Sequence, residues 1–250
     1  MPELDSALKQ DCQRPIVTVV IPCHNHADML GGAIDSVVMQ DYRPINIVVV
    51  DDGSKDNPIE VLELKKDIDI QIVLLKNENP TGPSAARNIA IKEMWDSTDL
   101  FIMLDADDRY LQGKISKSVE KYLENPTNIG IVYTDAIIQN INTNTQIREF
   151  RQPYNRQSLE KECIISNTPL ITKAALESSG GYDEEMRTCE DWDLWLRITE
   201  FFIAFHIPEA LHVYTVTGKN SSDVVSQEIW NENWKKIALR ISQRKNATSN

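Results

Sequence analysis

Short runs of consecutive apolar residues recur through the first half of the chain: 16–21 (IVTVVI), 45–50 (INIVVV), 70–75 (IQIVLL), 100–104 (LFIML) and 129–133 (IGIVY). Each has the length of a strand, and the apolar positions run on instead of alternating with polar ones. A strand with one face in water alternates, whereas one covered on both faces does not, so these runs predict a mostly parallel sheet buried on both sides. Between them the period changes. Leu30, Ile34 and Val37/Val38 recur at helical spacing after Asp28, and Ile59, Leu62 and Lys66 follow Asn57-Pro58, a cap residue and a first-turn proline. A third helix is predicted over 84–95. Strand and helix alternating in this way build right-handed βαβ units and an open α/β sheet with helices on both faces, whose ligands bind at the carboxyl ends of the strands.

Beyond about residue 135 the regularity fades. Residues 140–157 are rich in Asn, Thr, Gln and Arg and read as a hairpin or long loop, while 191–202 (DWDLWLRITEFF) and 226–241 read as helices. The expected layout is a tail over 1–14, one domain over 15–225 and a C-terminal helix and tail over 226–250. Within the domain, a nucleotide-type half spans about 15–110 and a more irregular half, the other wall of one site, about 111–225.

The 250 residues suffice for one such domain, and 41% hydrophobic with 26% charged residues argues against disorder. With 26 Lys+Arg against 38 Asp+Glu the formal charge is −12, and no basic patch opposes it, so a nucleic-acid partner is not expected. An acidic protein with a phosphorylated substrate would need a cation between them. No run approaches about 18 uncharged apolar residues, and the first fourteen residues lack the layout of a signal peptide, so a cytoplasmic protein, peripheral to a membrane at most, is expected. Cys12, Cys23, Cys163 and Cys189 are too scattered for a zinc ribbon or a redox pair and read as free thiols. The pair His24 and His26, beyond the first strand, and the isolated His206 and His212 read as ordinary loop or strand residues.

Two predicted strands end in acids: Asp51-Asp52-Gly53-Ser54 after IVVV, and Asp105-Ala106-Asp107-Asp108 after FIML. Carboxylates crowded at the binding edge of a sheet are costly without a cation or hydrogen-bond donors. Asp105 and Asp107, two apart on a turn, can address one small volume, as for a divalent ion sharing a nucleoside diphosphate. Asp51-Asp52 can accept from a base N–H or a ribose hydroxyl. Neither G-x-G-x-x-G nor a P-loop occurs, which disfavours dinucleotide and P-loop enzymes. Thr81-Gly82-Pro83-Ser84 opens a helix, and its N–H groups with Arg87 could face a diphosphate.

The ordered set VTVVIPCHNHADMLGGAIDSVVMQDYRPINIVVVDDGSKDN, NPTGPSAARNIAI, FIMLDADD and GGYDEEMRTCEDWDLWLRI, covering residues 16–222, resembles the family-2 inverting glycosyltransferases of GT-A fold. The resemblance implies that Pro22 and Asn25 edge the nucleotide pocket, that Asp52 contacts the base, that Arg87 flanks the nucleotide and that Asp105 lies on the ribose side. It makes Asp107 the ligand of a divalent cation, Mn²⁺ or Mg²⁺. It makes Asp191, in Glu190-Asp191, the base that activates an acceptor hydroxyl, and it places Gly181 near donor sugar and acceptor. Trp192 has two readings, core packing or stacking on a sugar. Where many members carry an arginine after the tyrosine of the C-terminal strand, this chain has Val213-Tyr214-Thr215, which leaves either Lys219 or a weaker compensating charge on that side and no third protein ligand for the cation. The implied reaction moves a sugar from a nucleotide sugar, a UDP-sugar by preference, to a glycan or lipid-linked acceptor. Without a Q-x-x-R-W motif the transfer is non-processive. The alternative is an inactive sugar-nucleotide-binding or scaffold protein. The helix over 226–241 either closes the domain or touches a membrane.

Overall fold

The computed structural model describes residues 14–65, 69–218, 220 and 225–248. The expected tail (here 1–13), Cys12, Lys66 and Lys219 lie outside the described residues. The first half alternates as β1 (Val17–Cys23), α1 (Ala27–Val38), β2 (Ile45–Asp52), α2 (Pro58–Glu63), β3 (Gln71–Asn77), α3 (Pro83–Glu93) and β4 (Leu100–Met103). There follow β5 (Arg109–Tyr110), α4 (Lys114–Leu123), β6 (Ile129–Asn140), β7 (Thr145–Glu149) and the single turn α5 (Arg156–Leu159). The chain continues through β8 (Leu170–Thr172), α6 (Lys173–Ser179), α7 (Glu190–Ile198), β9 (Ile203–Val216) and α8 (Gln227–Thr248).

All described strands join one sheet in the order β3-β2-β1-β4-β8-β6-β9-β5, with β7 added along the distal half of β6. The continuous apolar runs have the cause expected of them. In β1, Val17, Val19 and Ile21 enter one core with Ile45, Ile47 and Val49 of β2, beneath Leu30, Ile34 and Val37 of α1. The alternate residues Val20, Val48 and Val50 enter a second core on the opposite face, with Ala86 and Ala90 of α3 and Leu194, Trp195 and Ile198 of α7. Both faces are dry, so no polar alternation survives.

The parallel arrangement holds through β3, β2, β1 and β4. Past β4 it becomes mixed: β8 runs antiparallel to both β4 and β6, β5 antiparallel to β9, and β6 parallel to β9. Between β6 and β8 the chain carries only β7 and the one-turn α5, too little helix for a crossover, so the strands reverse. Residues 140–157 do form a hairpin arm, β6 with β7. The sheet passes unbroken through both predicted halves. α8 packs on the domain: Trp234 meets Trp192 edge to face at 4.9 Å, Asn233 donates to the Thr188 carbonyl at 3.1 Å, and Arg240 pairs with Asp193 at 2.6 Å. Cys23, Cys163 and Cys189 are free.

Candidate functional site

The carboxyl ends of β1, β2 and β4 lie side by side, with Cys23 opposite Asp51 and Asp52 opposite Asn77 in the strand registers. Above them opens a cavity of about 620 Å³. Pro22, Asp52, Arg87, Asp105, Asp107, Glu190 and Asp191 all line it, so seven of the expected site residues converge from segments more than a hundred positions apart.

At the β2 end, Asp52 is a structural acceptor. Its carboxylate takes hydrogen bonds from Asn77 Nδ2 (2.8 Å), Thr81 N (2.9 Å), Thr81 Oγ1 (2.8 Å) and Gly82 N (2.8 Å), binding the loop ahead of α3 to the strand end. Burial opposes its charge, but these donors outweigh it and hold the acid below the usual carboxylate range. Gly53 must remain glycine: it sits at φ +67°, and a Cβ there would lie 2.8 Å from the Pro80 nitrogen.

Arg87, on the first turns of α3, is buried, and its guanidinium joins the second strand end to α7. Nη2 donates to Asp105 Oδ1 at 2.7 Å and Nη1 to Glu190 Oε1 at 3.1 Å, with Asp191 Oδ1 at 3.7 Å. The expected diphosphate-facing arginine is thus engaged by three carboxylates and lies 5.3 Å from the Tyr182 ring centroid. Burial disfavours its charge, yet Asp105 and Asp191 keep it firmly protonated. Asp191 itself is driven well above the ordinary carboxylate range by burial and by Glu190, against the opposing pull of Arg87. Among the described residues, no donor reaches its Oδ1.

The Asp105–Asp108 turn closes with Asp108 N donating to the Asp105 carbonyl at 3.0 Å. Asn167 donates to Asp105 Oδ2 (3.0 Å) and Asp108 Oδ2 (3.3 Å), and Thr215 N to Asp108 Oδ1 (2.8 Å). Asp107 Oδ2 accepts from Asn220 Nδ2 at 3.1 Å. Burial and Asp105 push its pKa up to about 6, against the pull of His26, the behaviour of a buried acid short of positive charge. Among the described residues no group of three or more His, Cys, Asp or Glu is arranged as a closed metal site. The donor set still fits a hard divalent ion, which one or two carboxylates hold while water and phosphate oxygens complete the shell. Asp107, with Asp105 beside it, would be the protein's contribution.

Three expected residues are not brought to the cavity. Asn25, at φ +55°, spends its side chain bridging two loops: its Oδ1 accepts from Lys55 N at 2.7 Å and its Nδ2 donates to His24 Nε2 at 2.7 Å. Gly181, just beyond the Gly180 cap of α6, sits at φ +76°, where a Cβ would meet Asn88 Oδ1 at 2.9 Å, and it borders a different groove between α3 and α6. Trp192 takes the first of its two readings: it is buried in the core, with Nε1 donating to the Leu159 carbonyl at 2.6 Å. Conversely, Asn167, Arg187, Asn220 and Trp230 line the cavity without having been singled out. Each is an isolated polar or aromatic residue in an irregular segment or on the last helix, and only the acids they face would have pointed to them.

The model of the glycosyl transferase family 2 matches residues 18–176. The chain is 30% identical over 200 residues to an uncharacterized glycosyltransferase of Rickettsia typhi, covering 76% of this chain and 60% of that protein. It is 31% identical over 188 residues to the Escherichia coli UDP-Glc:alpha-D-GlcNAc-diphosphoundecaprenol beta-1,3-glucosyltransferase WfgD, covering 73% and 69%. Among solved structures, S. aureus TarS 1–349 in complex with UDP-GlcNAc superposes with a TM-score of 0.74 at 19% identity, covering 90% of this chain and 66% of that one. The mannosyltransferase PcManGT of Pyrobaculum calidifontis, in complex with GDP-Man and Mn²⁺, superposes at 0.65 with 21% identity, covering 84% and 59%. With these glycosyltransferase structures the chain shares its fold. It spans about 60% of the length of the Rickettsia relative.

Proposed function

Since the chain belongs to glycosyl transferase family 2, we propose that it moves a sugar from a nucleoside diphosphate sugar, a UDP-sugar by preference, to an acceptor hydroxyl with inversion at the anomeric carbon. The observation that carries this reading is the convergence of Asp52, Arg87, Asp105, Asp107 and Asp191 on one cavity at the strand ends. The nucleotide lies against Pro22 and Asp52, with Asp105 on the ribose side. Asp107 holds a divalent cation, Mn²⁺ or Mg²⁺, which when bound would neutralise the diphosphate.

Asp191 is the general base. Its burial and its neighbour Glu190 raise its proton affinity above that of an ordinary carboxylate, which suits a base that takes a hydroxyl proton. The acceptor oxygen attacks the anomeric carbon from the Asp191 side, its proton passes to Asp191, and the bond to the diphosphate oxygen breaks on the opposite face. Arg87 does not move a proton: it fixes Asp105, Glu190 and Asp191 relative to one another. Kinship with WfgD supports an acceptor carried on a lipid diphosphate in cell-surface glycan synthesis, used one sugar at a time at the cytoplasmic face of a membrane. Among the described residues no helix is long and apolar enough to cross that membrane.

A thermal-shift screen of UDP-, GDP- and dTDP-sugars with and without Mn²⁺ tests the reading, since a ligand selective for the folded state raises the melting temperature. The expected result is a Mn²⁺-dependent shift with a UDP-sugar that Asp107→Ala abolishes. No metal-dependent shift with any nucleotide refutes it, and binding without turnover across an acceptor panel favours an inactive nucleotide-binding protein.

A further inference from the structure

Three arginines line the cavity: Arg87, Arg151 and Arg187. Two are committed to the protein. Arg87 is taken by Asp105 and Glu190, and Arg151 pairs with Glu149 at 2.8 Å while donating to the Cys163 carbonyl at 3.1 Å. Arg187 is exposed and makes no hydrogen bond or ion pair with any described residue. It is therefore the uncommitted guanidinium on a cavity lined by six acids.

Its place in the fold identifies what it faces. Arg187 stands in the segment leading into α7, three positions before Glu190 and four before Asp191. This segment is anchored to α8 by Asn233, whose Nδ2 donates to the Thr188 carbonyl at 3.1 Å and to Thr188 Oγ1 at 2.9 Å. Trp230, one turn before Asn233 on α8, lines the same cavity. Asp105 and Asp107, where a leaving diphosphate belongs, come instead from the end of β4. In a single displacement the nucleophile approaches from the side of its base, away from the leaving group, so Arg187 borders the path of the acceptor.

Resting on the glycosyltransferase reading above, we propose that Arg187 binds a phosphate group carried by the acceptor, one belonging to a lipid-linked diphosphate, and thereby sets acceptor specificity. A planar guanidinium with a full set of free donors suits a bidentate phosphate contact. A neutral glycan acceptor offers it hydroxyl oxygens but no charged, bidentate partner.

Calorimetric titration of hexyl diphosphate into protein saturated with UDP and Mn²⁺ tests this, with UDP affinity measured separately. Wild-type protein should bind the alkyl diphosphate on top of UDP. Arg187→Gln should weaken that binding by roughly tenfold or more while UDP affinity stays within about twofold, and Arg187→Lys should fall between the two. The proposal is overturned if hexyl diphosphate does not bind the UDP-loaded wild type, if it binds Arg187→Gln equally well, or if the variant loses UDP to the same degree, which would assign the arginine to the donor. Failure of UDP itself to bind wild-type protein refutes the glycosyltransferase reading instead. The effect of Arg187→Gln is then read on hexyl diphosphate binding to the unloaded protein, with the same result expected and the same equality overturning the proposal.

Discussion

Replacing Arg87 by methionine removes the one charge that holds three carboxylates together. Its nitrogens lie 2.7 Å from Asp105, 3.1 Å from Glu190 and 3.7 Å from Asp191. At an effective dielectric of about 20, unit charges about 3–4 Å apart attract by about 4–6 kcal/mol, and burying the guanidinium offsets several kcal/mol of the total. Breaking a buried pair by deleting one partner costs about 3–5 kcal/mol, because the other partner is left charged without compensation. Here the carboxylates retain 13 to 27% of their side-chain exposure, and Asp191 can escape by taking up a proton, so the lower end of the range applies. The expected loss is about 3 kcal/mol at pH 8.

The pH dependence of that loss has a definite sign. Asp191, already raised by burial and Glu190, is raised further without Arg87, so the folded variant binds more protons than the unfolded chain and stability falls as pH rises through that window. The penalty should therefore shrink to under about 2 kcal/mol at pH 5.5. Urea denaturation followed by tryptophan fluorescence, at both pH values and for both proteins, measures it. A penalty below about 1 kcal/mol at pH 8, or one equal at the two pH values, would show that the arginine does not neutralise this cluster. Arg87→Lys keeps the charge but not the fork and should recover only part of the loss.

Other outcomes follow from the same coordinates. Asp191→Asn should retain UDP binding in a metal-containing titration but lose about a hundredfold or more in transfer rate, the contribution of a positioned base; normal transfer removes Asp191 from that role. Lys114 is fully buried, its Nζ donating to Thr134 Oγ1 at 2.9 Å, and burial lowers its pKa to about 7. The unfolded chain binds more protons than the folded one between that value and the ordinary lysine range, so the buried amine destabilises most at and below neutrality. Lys114→Met should therefore stabilise the protein by about 1–3 kcal/mol at pH 7 and by less at pH 9.5, as read by urea unfolding. Gly181→Ala meets both a positive φ and the close approach of Asn88, and should lower stability by about 1–3 kcal/mol in the same assay.

The parts of the fold readable from the sequence were those where a pattern has one physical cause. β1, β2 and β4 fill two cores at once, so their apolar runs identified them. β9 was missed as a long strand because Pro208 and Glu209 break its alternation. Ile207 pairs with Thr134 and Ala210 with Asp135, so the two residues between are looped out of register. β8 has only three residues, too few for a period to show. In the site, Asp105 and Asp107 were legible because clustered acids at a strand end need an explanation. Asp52 was legible as a site acid, but not as the acceptor for Asn77, Thr81 and Gly82, since that depends on where the next loop returns. Asn167 and Asn220 stand alone in irregular segments, and the pairing of strands distant in the chain supplies their meaning.

The long pairing of β6 with β9 also orders events in time. The units β1-α1-β2 and β2-α2-β3 close over short stretches of chain, and contacts local in sequence form fastest. Ile129, by contrast, finds its partner at Ile203, and the last pairs reach Asn140 with Val216. Asp108 is held from Thr215, and Asp107 from Asn220 just beyond the strand. A nascent chain can therefore assemble the β1 to β3 side of its cavity early, while Asp107 and Asp108 stay unfastened until the end of β9 has been made and docked. Asp107 and Asp108 are thus fixed later than Asp105, which Arg87 of α3 already holds.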